Sequence, residues 1–263
     1  PRERDTSPIE IIVDRDGGAA SSAGYAERTG KHKWHDGTGA GFGLPREILS
    51  DGENPFKAGK YRAVTTVDRK AESSAVEYSA EFPKRGTYAI YVSYGRSERP
   101  AHSAPYTVHG MGGDSHFSVN QSMGAGTWVY LGDFEFDKGI QKVVTLSNIC
   151  PGANAILTAD AIKIGGGMGN IARGYDKTGS NEPQTSGYPR FCEGARYFMQ
   201  WSGIPDSIYS VSDHVSDYAD DYKGRGPWVN YMSGGSSMNP GWKGLGIPID
   251  LSMGWHTDAG LTY

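Results

Sequence analysis

Residues 74–94 read SAVEYSAEFPKRGTYAIYVSY, and this stretch decides the fold. Apolar and polar residues alternate through 74–82, the period of two that sets one face of a strand on a core and the other toward solvent, and 87–94 reads as a second strand. Between the runs, Pro83-Lys84-Arg85-Gly86 supplies a proline to start a turn and a glycine to close it. The same rhythm continues in both directions. Runs at 9–13, 61–67, 104–109, 115–120, 127–131, 142–147 and 158–164 read as strands, separated by turn signals at 110–114, 124–126 and Asp137-Lys138-Gly139. Short strands at that spacing predict a mainly β chain built on a jelly-roll-like β-sandwich.

Residues 29–59 break the rhythm, being rich in Gly, His, Trp, Pro and charge without either period. A long surface excursion is expected there, either part of a binding surface or disordered. Gly165-Gly166-Gly167-Met168-Gly169 then marks a boundary, because four glycines in five positions hold neither strand nor helix securely. The reading is therefore two domains, 1–165 and 166–263. Beyond the boundary, Phe191, Ala195, Phe198, Met199 and Ser202 fall near one face of a helix over 191–201, which Gly203-Ile204-Pro205 ends. A second helix is predicted over 212–222, capped by Ser212 or Asp213. The run 247–255 reads as one buried strand leading into His256-Thr257-Asp258-Ala259-Gly260. A helix, helix, strand order predicts a partial α/β segment.

Charge narrows the partners. The 263 residues carry a formal net charge of -4, with Lys and Arg scattered, so no footprint exists for nucleic acid or an anionic membrane surface. No apolar run approaches the roughly 20 residues of a membrane span, and residues 1–20 lack the basic start and apolar middle of a signal peptide. The chain starts at Pro1 and stops at Tyr263 directly after the strand-like run, the form expected of a processed or excised piece, with the rest of a longer precursor as a partner. Abundant Gly (38) and Tyr (16) suit short strands, tight turns and aromatic surface positions. Cys150 and Cys192 could close a bridge worth about 4 kcal/mol in the chain-entropy model, or stand as two separate buried thiols.

A string of matches in family order makes residues 9–164 resemble the golvesin and xanthan-lyase carbohydrate-binding-like domain. They are Ile12-Val13-Asp14 with Gly17, Gly86-Thr87-Tyr88 before Ile90-Tyr91-Val92, and Ala104-Pro105-Tyr106-Thr107-Val108-His109. Then come Val119-Asn120-Gln121, Trp128 with Leu131-Gly132, Phe134 and Phe136, Leu146-Ser147-Asn148, and Ala159-Asp160-Ala161-Ile162. The excursion at 29–59 is longer than this family leads one to expect. The resemblance implies an accessory β-sandwich of secreted, periplasmic or cell-surface proteins, with polysaccharide as partner. Sugar binding needs exposed aromatic faces and polar groups that read hydroxyls. Trp34, Tyr94 and Arg96, at strand ends or in a loop, are the carbohydrate-binding candidates, whereas Tyr106 and Trp128 sit in strand patterns that fill a core. His109, within a strand, reads as a hydrogen-bonded structural histidine.

The second region resembles, more faintly, the distal half of a zinc-dependent N-acetylmuramoyl-L-alanine amidase domain. Glu193 opens the helix-like run and His256 ends the strand-like run. The resemblance implies both as zinc ligands, and Asp258, two residues after His256, reads as a hydrogen-bond partner of a ligand, an extra ligand or a turn-stabilising residue. Such a pair leaves an open position for a metal-bound water to attack an amide. The family's first histidine and late glutamate have no counterpart after Gly165, so no catalytic residue is assigned and the site is incomplete in this chain. His32 and His35 have metal-compatible spacing but no third ligand. No phosphate loop, H-E-x-x-H, paired C-x-x-C or G-x-S-x-G occurs. Two functions follow: a carbohydrate-binding-like module attached to, or inserted in, a zinc hydrolase acting on peptidoglycan, and a non-catalytic binding or adhesion module with a xanthan-lyase-like association only.

Overall fold

A computed structural model describes residues 9–16, 21, 23–152, 154–167, 171–172 and 194–254. Strands β1 (Ile11–Val13), β2 (Tyr25–Arg28), β3 (His35–Asp36), β4 (Arg62–Thr65), β5 (Ala75–Phe82) and β6 (Gly86–Val92) come first in the chain. They are followed by β7 (Ala104–Gly110), β8 (Gly113–Val119), β9 (Val129–Phe136), β10 (Gly139–Ser147), β11 (Ile156–Ala159) and β12 (Ile162–Ile164). Helices α1 (Ala195–Trp201), α2 (Asp206–Tyr209) and α3 (Asp217–Ser233) follow. The strands form sheets ordered β1-β12-β6-β9, β2-β5-β10-β7-β8 and β11-β4-β3. The pairs between these strands are antiparallel, as the mainly β sandwich expectation requires.

Alternation along β5 sends Val76, Tyr78, Ala80 and Phe82 into one core, where they meet Tyr88, Ile90 and Val92 of β6 and Val144 and Leu146 of β10. Phe82 stacks on Phe136 with ring centroids 4.5 Å apart. β6 is also buried on its other face, through Ala89 and Tyr91. Its unbroken apolar run Tyr88-Ala89-Ile90-Tyr91-Val92 fits a strand covered on both sides. The cover comes from residues 42–56 and helix α1. Phe42, Leu49 and Phe56 join Trp128, Tyr197 and Trp201 in a second core. Phe42 lies 4.8 Å from Trp128 and 5.6 Å from Trp201 by ring centroids. The Trp128 indole N–H donates to the Trp201 carbonyl (3.1 Å), and that of Trp201 to Glu10 Oε2 (3.0 Å). The helical region is thereby a layer on the outer face of β6.

Several expectations change. The excursion at 29–59 is neither a bare surface loop nor disordered: Trp34 is buried in the first core, and Phe42 is 0% exposed in the second. The run at 158–164 is two strands in different sheets. Between them Asp160 turns aside, its carboxylate accepting the Phe42 N–H and its carbonyl the Tyr78 hydroxyl. Strands β2 and β3 were not foreseen because they are edge segments with few buried positions, so no alternation marks them. The second long helix starts at Asp217 rather than 212, capped by the Ser216 hydroxyl. Asp213 and His214 hold φ of 56° and 62°, a left-handed backbone that no α-helix accepts. The predicted strand over 247–255 is absent through 254, where residues 251–254 are exposed without ladder partners. Buried strands need paired backbone groups, and Pro248 is one donor short. The α/β segment is helical among the described residues.

Candidate functional site

Of the three carbohydrate-binding candidates, the structure leaves one at the surface. Trp34 is 6% exposed and Tyr94 1%, so neither ring offers a face to a sugar. Tyr94 is instead an anchor. Its hydroxyl donates to the Met123 carbonyl (2.7 Å), and its own carbonyl accepts the Gly126 N–H (2.9 Å). Burial pushes its phenol well above the ordinary range, so it stays protonated and keeps donating. Tyr106 and Trp128 are buried, as expected of core residues. His109 is hydrogen-bonded on both ring nitrogens, to Asp114 (2.7 Å) and Thr145 (2.8 Å), as a structural histidine should be.

Arg96 is exposed at the edge of the sandwich, on a segment with little freedom. The Tyr61 hydroxyl donates to its carbonyl (2.7 Å), and the Thr158 hydroxyl donates to that of Gly95 (2.8 Å). Gly95 lies flat on the Tyr61 ring, where a Cβ would come within 2.1 Å of Cδ1, so only glycine fits. Thr158 is held in turn by a buried two-way amide pair with Gln121, at 2.7 and 2.9 Å. One guanidinium nitrogen of Arg96 donates to the Gly244 carbonyl (3.1 Å), joining the sandwich edge to the loop after α3. That loop is pinned on both sides. Leu245 N donates to Tyr231 O (3.0 Å), Gly246 N to Gly234 O (2.9 Å), and Gly124 N to Leu245 O (2.7 Å). It presents Trp242, 62% exposed, and Met238. Sequence reasoning missed Trp242, although an aromatic in a Gly-Trp-Lys-Gly segment with no apolar period around it was the available signal.

Two further polar clusters lie elsewhere. Asp14 and Asp160 are both buried at the junction of the cores. Burial, reinforced by the charges of Asp160 and Asp16, pushes the Asp14 carboxyl up to about 8. Burial also raises that of Asp160 to about 7, against the pull of the Phe42 N–H and Ser93. In the helical layer, Arg196 is 1% exposed and pairs with Asp51 and with Asp217 (3.3 Å). His214 touches Asp51 through Nδ1 (2.9 Å) and Asp206 through Nε2 (3.2 Å). Burial would lower its pKa, but the two carboxylates outweigh that and raise it. Both carboxylates accept, so the protonated ring, which donates from both nitrogens, is the form this arrangement favours. This cluster ties the 51–53 turn to the helices.

Glu193, His256 and Asp258, implied as zinc ligands, lie outside the described residues, as does Cys192. The feature expected to deliver His256, a buried strand, is absent up to residue 254. No group of three or more His, Cys, Asp or Glu side chains that could hold a metal occurs among the described residues, the His32 and His35 pair included. Cys150 is buried, and burial raises its thiol to about 11.

Residues 52–166 match the golvesin C-terminal domain. This golvesin-like region contains Arg96 and the strands from β4 to β12, and Trp242 lies beyond it. Among solved structures, a xanthan lyase from Paenibacillus aligns with TM-score 0.44 and 21% identity, over 60% of this chain and 13% of that one. A family 35 carbohydrate binding module from Clostridium thermocellum aligns at 0.36 and 15%, over 59% and 97% of the two chains. The module CBM6cm-2 from Cellvibrio mixtus lichenase 5A, solved with cellotriose, aligns at 0.31 and 12%, over 60% and 96%. No curated protein matches the chain in sequence.

Proposed function

We propose that this chain is a carbohydrate-binding module of a secreted or envelope-associated protein, and that it contacts polysaccharide at the edge around Arg96. The observation that carries this reading is the match of residues 52–166 to the golvesin C-terminal domain. The resemblance implies an accessory β-sandwich that holds an enzyme or cell surface on a glycan. The edge supports it chemically, through a guanidinium on a rigid segment next to an exposed indole loop. Among the described residues no helix is long and apolar enough to cross a membrane.

The zinc amidase-like hydrolase acting on peptidoglycan is the second reading, favoured by a helix that starts at Ala195, two residues after Glu193. It ranks second because residues 251–254 do not form the strand it requires. Native affinity electrophoresis of the full chain through gels holding single soluble polysaccharides, with zinc content measured on the same preparation, tests both. Retardation by at least one polysaccharide without stoichiometric zinc is the expected result. Unchanged mobility in every gel, with one zinc per chain, would replace the binding module with the hydrolase.

A further inference from the structure

The site around Arg96 has a direction in its chemistry. Among the described tryptophans, Trp34, Trp128 and Trp201 are buried and Trp228 is half-buried, while Trp242 is the exposed one. It stands on a loop whose backbone is fixed before any ligand arrives. Gly235 N donates to Asn239 O and Ile247 N to Met232 O (both 2.9 Å), and at Gly244 a Cβ would lie 1.9 Å from the Tyr231 carbonyl. A large aromatic held rigidly in water is a preorganised contact, because binding to it requires little further ordering. Its indole is an extended apolar face of the size of a pyranose ring. Single exposed apolar residues are common, so the neighbours decide.

Those neighbours are cationic. The Arg96 guanidinium donates to the carbonyl of Gly244, two residues from Trp242, which places it at most roughly 13 Å from the Trp242 Cα by chain length alone. One of its nitrogens contacts the Gly244 carbonyl, and the rest of a planar five-donor fork is suited to a carboxylate. Lys243 follows Trp242 and is exposed. On the 94–99 segment Arg99 offsets the acidic Glu98, and both are exposed. The protein carries net charge -4, so a local excess of cations at this edge runs against the whole.

Resting on the carbohydrate-binding reading above, we infer that Trp242 and Arg96 form a subsite for a uronic-acid-containing polysaccharide. The pyranose ring stacks on the indole of Trp242, and its carboxylate takes the free edge of the Arg96 guanidinium with Lys243 nearby. The subsite spans the golvesin-like region and the loop after α3, so the helical layer completes it.

The test uses the full chain in native affinity gels containing polygalacturonate, alginate, or polygalacturonate reduced at its carboxyls. Trp242→Ala and Arg96→Met are compared with the parent, with circular dichroism to establish folding. The parent is retarded by at least one acidic polymer. Trp242→Ala weakens that by about tenfold or more, as removal of a central tryptophan contact does. Arg96→Met loses the preference for the acidic over the reduced polymer. Retardation of Trp242→Ala equal to that of the parent removes the subsite while leaving the binding reading intact. Equal retardation of the parent by the acidic and reduced polymers, abolished by Trp242→Ala, overturns the uronate class. A parent that binds these polymers nowhere, but other glycans elsewhere, also overturns the subsite, and one that binds no glycan removes both readings. Where Trp242→Ala does not fold, Trp242→Phe takes its place, with a smaller loss expected and equality to the parent again fatal.

Discussion

Asp14→Asn stabilises this protein at pH 8 by an amount on the order of a few kcal/mol and leaves it nearly unchanged at pH 4. Asp14 is 1% exposed, and its Oδ2 has no hydrogen-bond partner among the described residues. Its carboxyl is raised to about 8 by burial and by the charge of Asp160, itself raised to about 7. In the unfolded chain both release their protons near the ordinary value of 3.8. Between those values the folded state binds more protons than the unfolded one, so stability is full below about 4 and falls as pH rises through 7 and 8. Asparagine is neutral at every pH and of the same shape, which removes the share of the decline due to Asp14. Urea unfolding of parent and variant at pH 4, 6 and 8 reads this directly. A variant less stable than the parent at pH 8 would mean that the ionised carboxylate is favourably held, and the burial account would fail.

Trp201→Ala costs about 3–5 kcal/mol, the range for truncating a large aromatic in a core. Trp201 is 1% exposed and packs on Phe42 and Trp128, with its N–H on Glu10. Its loss opens a void where the 42–56 segment, α1 and the outer face of β6 meet. Since Ala89 and Tyr91 depend on that cover, the helical layer and the sandwich are expected to lose stability together in one guanidinium transition. A cost below about 1 kcal/mol, or a separate early transition of the helices, would show that the layer does not support the sandwich.

The sandwich was legible because its strands are buried on alternate residues. β5, β7 and β10 each carry that pattern, and the turns between them carry Gly, Pro or Asp. Failures came where contact is set by distant partners. Phe42 and Leu49 are spaced without a period because each fills a gap left by the sheet and the helix, which a local window cannot reveal. Lys163, of a residue type seldom fully buried, is buried with Nζ on the Gly165 and Gly167 carbonyls and 4.0 Å from the Tyr91 ring centroid. The helix over 212–222 failed on Asp213 and His214, both left-handed in backbone, with the His214 ring held by Asp51 and Asp206 from other segments. At the proposed site, Arg96, Trp34 and Tyr94 read alike in sequence, and of the three the structure leaves Arg96 exposed. An aromatic at a strand end can turn inward or outward, and Tyr94 turns inward because the Met123 carbonyl waits there. Trp242 became visible only once Arg96 was seen to reach its loop.

The central claim, that this chain contacts polysaccharide at the Arg96 edge, is tested most directly by amide hydrogen exchange of the full chain with and without the polysaccharide that retards it most. Slower exchange concentrated in residues 94–99 and 234–246, with the β5 and β10 core unaltered, is the expected result. Protection confined to another face, or no change at saturating polymer, would contradict it.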